Sequence, residues 1–131
     1  MSSNLTSVLA TGAFISYDVE PFVPTIFSHG SDSAYPPSRD KVLYPLNLYY
    51  AWALPTSDNY FRNAITQSAQ AIEEAAIAEG QDVSGAHLYT NYAIAGTDLE
   101  RIYGDNLPRL RSIKTQVDPD NVMGLAGGWK F

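Results

Sequence analysis

The chain has no cysteine, which excludes disulfides, thiolate metal sites, a cysteine nucleophile and any cysteine-linked cofactor. A reducing compartment is compatible with that composition. Histidine is nearly as scarce: His29 and His87 stand apart, without the HxxxH or HxE spacing of a metal site. Charge is also sparse. Only 17% of residues are charged, below the usual quarter or so. Eight basic residues stand against 14 acidic ones, for a net charge of -6, and they form no run that could neutralise phosphates. Nucleic acid and anionic membranes are therefore poor partners. No window approaches the roughly 18 apolar residues of a membrane span, and MSSNLTSVLATG lacks the positive and apolar regions of a secretory leader. The expectation from these absences is a soluble, cytoplasmic protein.

What is present is apolar and aromatic: 45% hydrophobic residues, with nine Tyr and five Phe in 131 residues. That length predicts one domain over 1–131, able to hide about two thirds of its unfolded surface. Residues 12–23, GAFISYDVEPFV, alternate Ile15, Tyr17 and Val19 against Phe14, Ser16, Asp18 and Glu20, which predicts a strand with one wet face that ends at Pro21. FSHGSDSAYPPSRDK follows as a long loop, because adjacent prolines lack amide donors and force extended backbone. The run YPLNLYYAWAL, Tyr44 to Leu54, is apolar on both faces and predicts an interior strand. A helix comes next, capped at Thr56, Ser57 or Asp58, with Phe61, Ala64, Ile65, Ser68 and Ile72 on one stripe and Gly80 as its stop.

AHLYTNYAI, Ala86 to Ile94, predicts another strand, with Tyr92 and Asn91 on opposite faces. Thr97 and Glu100 predict a capping box for a short helical turn closed by Gly104. Asn106 is expected to cap a last helix with Pro108 in its first turn and Leu107, Leu110, Ile113 and Val117 as its stripe, stopped by Asp118-Pro119. The resulting order predicts an α+β fold: a small antiparallel sheet of three or four strands with helices packed on one face. Open edges and the aromatic run Tyr49, Tyr50 and Trp52 make a second subunit the expected cover for the sheet, so a homodimer is expected.

Several residues could carry chemistry. A phenol near a buried amide serves as acid or base if its pKa falls from about 10, although Tyr89 and Tyr92, each taken alone, read more readily as core tyrosines with satisfied hydroxyls. His29 is suited to proton transfer near neutral pH, or is an idle loop histidine. Asp18 and Glu20 share a strand face, either as coupled carboxylates or as a solubilising edge. Gly127-Gly128 lies in no phosphate-loop pattern, and no G-x-S-x-G elbow supports a serine triad.

Three segments carry a family resemblance: YTNYAI from Tyr89 to Ile94, IYGDNLPRLRSIKTQVDPDNVM from Ile102 to Met123, and the closing GGWKF. Together they resemble the C-terminal region of berberine bridge enzyme-like, FAD-linked oxidoreductases, particularly fungal ones. The matching positions include Tyr103, Gly104, Asn106, Arg109, Leu110, Ile113, Lys114, Asp118, Pro119, Asn121 and Val122. PFVPTIFSHGSDSAYPPSRDKVLYPLNLYYAW also looks like the substrate-domain strands of fungal members. The resemblance implies a truncated substrate domain over 1–97 and a C-terminal helix and tail over 98–131, without the N-terminal flavin-gripping domain. It further implies that Asn91, Tyr92 and Asn121 would lie toward a flavin, so FAD is expected only if a flavin domain is supplied in trans.

Three functions compete. The favoured reading is a flavin-independent protein of fungal secondary metabolism that binds an apolar small molecule and promotes cyclisation, isomerisation or dehydration. Its acid-base candidates are Tyr92, Tyr50, His29 and Asp18, in that order, and its substrate-lining candidates are Tyr49, Trp52, Tyr89 and Asn91. The second reading is a fragment or subunit of an FAD-dependent oxidoreductase. The third is a non-catalytic binding or assembly protein.

Overall fold

A computed structural model describes residues 12–131; the reading of residues 1–11 as free of a leader lies outside them. The chain divides into two compact units. One is built from the described residues up to Phe22 together with Tyr44–Ser84, the other from Val23–Leu43 together with Gly85–Phe131.

In the first unit, strands β1 (Gly12–Val19) and β2 (Leu46–Trp52) pair antiparallel, with Ile15 opposite Tyr50, Tyr17 opposite Leu48 and Asp18 opposite Asn47. The register shifts once, between Gly12 and Phe14. β1 stops just before Pro21, as the sequence predicts, and the Glu20 amide makes a last bond to the Pro45 carbonyl at 2.9 Å. The α+β class holds, but the described residues form a sheet of two strands, not three or four. β2 is therefore not an interior strand, since among these residues it pairs with β1 alone. Only the face carrying Leu46, Leu48, Tyr50 and Trp52 is partly buried throughout; on the other face Tyr49 and Ala51 are exposed and Asn47 is buried.

Helix α1 (Asp58–Ala78) follows a 3-10 turn at Pro55–Ser57. Ser57 is at the cap position without a side-chain cap bond, while the Asp58 carboxylate accepts the Trp52 indole N–H at 2.6 Å. At the other end the Gly80 and Gln81 amides bond to the Ile77 and Ala76 carbonyls, and Gly80 has φ +83°. This Schellman closure needs the left-handed conformation that glycine adopts without a Cβ penalty. α1 packs on one sheet face: Phe61 is fully buried, stacked on Trp52 with centroids 5.2 Å apart and planes within 9°, and Tyr60 meets Phe61 edge-on at 5.3 Å. Trp52 and Tyr50 of the aromatic run are thus half-buried on the helix side, whereas Tyr49 is 51% exposed.

The second unit is centred on α2 (Leu99–Tyr103) and α3 (Leu107–Val117), whose Ile102, Tyr103 and Leu107 form a buried cluster against Leu88, Leu110 and Trp129. Four expectations change here. Residues 86–94 are not a strand: the Tyr92 and Ala93 amides both bond to the Tyr89 carbonyl, folding the backbone into a turn. Alternation gives a segment strand character only where a partner strand accepts its amides. The cap of α2 is Asp98, whose carboxylate accepts the Glu100 amide at 3.1 Å, while the Thr97 hydroxyl donates to the Ile94 carbonyl at 2.7 Å. The Asn106 side chain makes no cap bond; its amide donates to the Ser33 and Ala34 carbonyls at 3.0 and 3.2 Å, pinning the long loop. Finally, the α3 stripe is buried only at its start, with Ile113 45% and Val117 78% exposed. Gly104 closes α2 as expected, at φ +50°, where a Cβ would come within 2.5 Å of the His87 ring.

Phe61→Ala removes the sole fully buried aromatic of the described residues, and a buried Phe-to-Ala change costs about 3–5 kcal/mol. Urea denaturation followed by tryptophan fluorescence should show a large fall in midpoint for this variant, whereas Ile113→Ala, on the exposed part of α3, should leave it within about 0.5 kcal/mol.

Candidate functional site

The first unit brings three hydroxyls together. Strand alternation places Ile15, Tyr17 and Val19 of β1 and Leu48, Tyr50 and Trp52 of β2 on the side that meets α1. Tyr17 and Tyr50 are diagonal neighbours there, with ring centroids 6.3 Å apart and hydroxyl oxygens 2.7 Å apart. Ser68, the polar member of the apolar stripe of α1, sets its Oγ 2.6 Å from Tyr50 Oη and 3.3 Å from Tyr17 Oη. When Tyr17 ionises, hydrogen bonds from Ser68 and then from Tyr50 stabilise its oxyanion, so its pKa lies below the ordinary tyrosine value. Burial, reinforced by Tyr17 and Tyr60, pushes the Tyr50 pKa the other way. A half-exposed phenol that ionises more readily is thus hydrogen-bonded to a more buried one that resists ionisation.

The remaining candidates fall elsewhere. Asp18 and Tyr49 belong to the opposite sheet face, and the Ser16 hydroxyl donates to Asp18 at 2.6 Å. His29 ends an exposed 3-10 turn at Ile26–His29, in a loop held by Arg39, which donates to the Phe27 and Ser31 carbonyls. Tyr89, Asn91 and Tyr92 do come together, but on a turn: the Asn91 amide donates to the Tyr89 hydroxyl at 3.0 Å, and the Tyr89 ring meets Tyr92 at 5.1 Å and Tyr35 at 5.9 Å, edge-on in both cases. Asn91 and Tyr92 are therefore not on opposite faces of a strand. Burial, then the nearby Tyr89, raises the Tyr35 pKa.

Tyr17, Ser68 and Tyr35 were not among the candidates chosen from sequence. A signal for Ser68 did exist, as the one hydroxyl between Ile65 and Ile72 on a packing stripe, and Tyr17 shares the alternating face of Ile15 and Val19.

The tail is organised by Asp118. Its carboxylate accepts the Val122 and Met123 amides at 2.7 and 3.1 Å and pairs with Lys114 at 2.9 Å. Asn121 takes the left-handed conformation within this turn, at φ 55°. The Lys114 hydrogen bond is the main cause of a lowered Asp118 pKa, with help from the two amides. An open cavity of about 450 Å³ borders the turn, lined by Lys114, Asn121, Met123, Trp129, Lys130 and Phe131. Both lysines are already engaged, Lys114 by Asp118 and Lys130 by the Gly124 and Ala126 carbonyls. A diphosphate is held by cationic side chains or a glycine-rich helix start, and Asn91, Tyr92 and Asn121 are neutral and lie at no such start. The described residues therefore do not fit a dinucleotide by themselves.

Comparison with known proteins agrees with the tail motif. Residues 88–126, from Leu88 through the Asp118 turn, match the family model described as berberine and berberine like. Over 109 residues the chain is 35% identical to the FAD-linked oxidoreductase OXR1 of Pyricularia oryzae, an alignment that covers 82% of this chain and 21% of that protein. The chain is thus similar to the berberine bridge enzyme-like, FAD-linked oxidoreductases and spans about a fifth of the length of the curated relative it matches. No solved structure matches it.

Asp118→Asn keeps the shape of the turn but removes the charge that Lys114 and the two amides stabilise. A carboxylate whose pKa is depressed on folding stabilises the fold above its unfolded pKa, and that contribution fades as pH falls through the folded value. The wild type should therefore melt higher than Asp118→Asn at neutral pH, with the gap closing in the acid range below the ordinary carboxylate pKa. Hydrogen exchange at Val122 and Met123 should be slow only in the wild type.

Proposed function

We propose that the chain supplies the substrate-side part of a berberine bridge enzyme-type, FAD-linked oxidoreductase and works against a flavin-holding domain. The observation that carries this reading is the exposed apolar surface of the berberine-like segment: Val117 at the end of α3 is 78% exposed, and Val122, Met123 and Leu125 are 63%, 66% and 91% exposed, beside a turn whose Val122 and Met123 amides Asp118 holds. A turn fixed by three charge-assisted contacts that leaves its apolar side chains in water is built to dock against another body. The flavin would be held by that body and would supply the redox chemistry; the residues of this chain would shape the pocket and handle protons.

A second reading, favoured by the hydroxyl group of the first unit, is redox-neutral chemistry on an apolar small molecule by this chain without flavin. Tyr50, Tyr17 and Ser68 meet within a single unit, so their proton chemistry requires no residue from outside it. In this reading a second copy of the chain covers Phe14 and Tyr49, which are 57% and 51% exposed.

Mixing the purified chain with the flavin-binding portion of the Pyricularia relative separates the two. The first reading expects a stable yellow complex, weakened by Leu125→Asp and Val117→Asp without loss of helical circular dichroism. A colourless homodimer that converts substrate alone and ignores the flavin protein would overturn it and favour the second.

A further inference from the structure

We infer that Tyr17, Tyr50 and Ser68 form a proton-transfer site for a small molecule carrying a carbonyl or enol oxygen, with Tyr17 as the group that meets the ligand. The inference deepens the second functional reading, whose proton chemistry rests on the same three hydroxyls, and does not depend on where a flavin resides.

Each hydroxyl has one proton to donate and two lone pairs to accept with. The two short edges of the triangle, Ser68 to Tyr50 at 2.6 Å and Tyr50 to Tyr17 at 2.7 Å, define a chain of donors; the third edge is a weak 3.3 Å. If Ser68 donates to Tyr50 and Tyr50 donates to Tyr17, the Tyr17 proton is held only by its long 3.3 Å bond to Ser68 and is the one that a ligand oxygen can take over. Exposure agrees with that polarity, since Tyr17 is 47% exposed while Tyr50 and Ser68 are half-buried. Such chains polarise one another, so the outermost hydroxyl becomes the better acid.

Ser68 supports the assignment from another direction. A helical serine commonly bonds back to the carbonyl four residues earlier, whereas here its hydroxyl lies against Tyr50. On a stripe between Ile65 and Ile72 an alanine would pack without a polar group to satisfy. Flanking Tyr17 on the same side of β1 are Ile15 and Val19, 45% and 61% exposed, which suit an apolar ligand body around one oxygen.

The step balances without an oxidant or reductant. The Tyr17 O–H bond breaks as its proton passes to the ligand carbonyl oxygen, and the ligand releases an α-proton to water, giving the enol. The phenolate left on Tyr17 accepts from Tyr50 and Ser68 until a solvent proton restores it. Tyr50 and Ser68 are positioning residues. Besides this pair, the titratable group bearing on them is Tyr60 of α1, which acts on Tyr50.

Ultraviolet titration of the tyrosinate band on the 131-residue chain tests this directly. One of the nine tyrosines should ionise ahead of the others, a step lost in Tyr17→Phe and moved up in Ser68→Ala and Tyr50→Phe. As a ligand probe, 2-naphthol should bind with a shifted emission, and Tyr17→Phe should weaken it roughly tenfold, the loss expected for one well-made hydrogen bond. Circular dichroism checks the fold of each variant, and Ser68→Ala carries the test if Tyr17→Phe unfolds. An early ionisation that survives Tyr17→Phe, its absence from the wild type, an early step that Ser68→Ala leaves in place, or naphthol binding indifferent to Tyr17 would each overturn the inference.

Discussion

The contact between Trp52 and Phe61 decides the geometry of the first unit. A two-stranded sheet is marginal by itself, and here α1 supplies the missing layer. The ring stack at 5.2 Å fixes how the helix lies, while the bond from the Trp52 indole to Asp58 fixes where it begins. Both contacts sit at the N-terminal end of α1. Ser68 comes seven residues after Phe61, two turns along the same helix face, which is why its hydroxyl arrives beside the phenols of Tyr17 and Tyr50. The chemistry of the hydroxyl group therefore rests on an aromatic stack at the other end of the contact.

The second unit is held by a different kind of interaction. Its buried cluster is small, Ile102, Tyr103 and Leu107, and much of its order comes from side chains that bind backbone. Asn106 holds the Ser33 and Ala34 carbonyls, Arg39 holds Phe27 and Ser31, and Asp118 holds the Val122 and Met123 amides. Bonds of this type fix loop shape without hiding apolar area, so they are compatible with a tail that is rigid and yet apolar outside. The same feature separates the berberine-like segment from an ordinary surface tail, in which exposed Leu and Val would gain nothing from rigidity.

Legibility in the sequence followed the range of the interaction. α1 was readable because its stripe, its stop at Gly80 and its start near Asp58 lie within one helix. The end of α3 at Asp118-Pro119 and the end of β1 before Pro21 were readable because proline excludes helix and ladder locally. The caps were less so: Thr97 and Asn106 have the right residue type at the right spacing, yet Asp98 took one role and backbone carbonyls of a distant loop claimed the Asn106 amide. Residues 86–94 alternate like a strand and form a turn, because alternation states a preference and only a neighbouring strand could have acted on it. Of the site, Tyr50 was chosen from the aromatic run, but Tyr17 and Ser68, 51 positions apart, are joined only by the packing of α1 on the sheet.

The sequence by itself determined the absence of thiol chemistry, the α+β class, the long helix and the berberine-like motif, since each is written in residue type or short-range spacing. Tertiary structure alone decided which hydroxyls meet and which faces stay apolar in water. Those properties depend on distances between segments far apart in the chain, and hydrogen bonding and burial act through distance in space, whatever the separation in sequence.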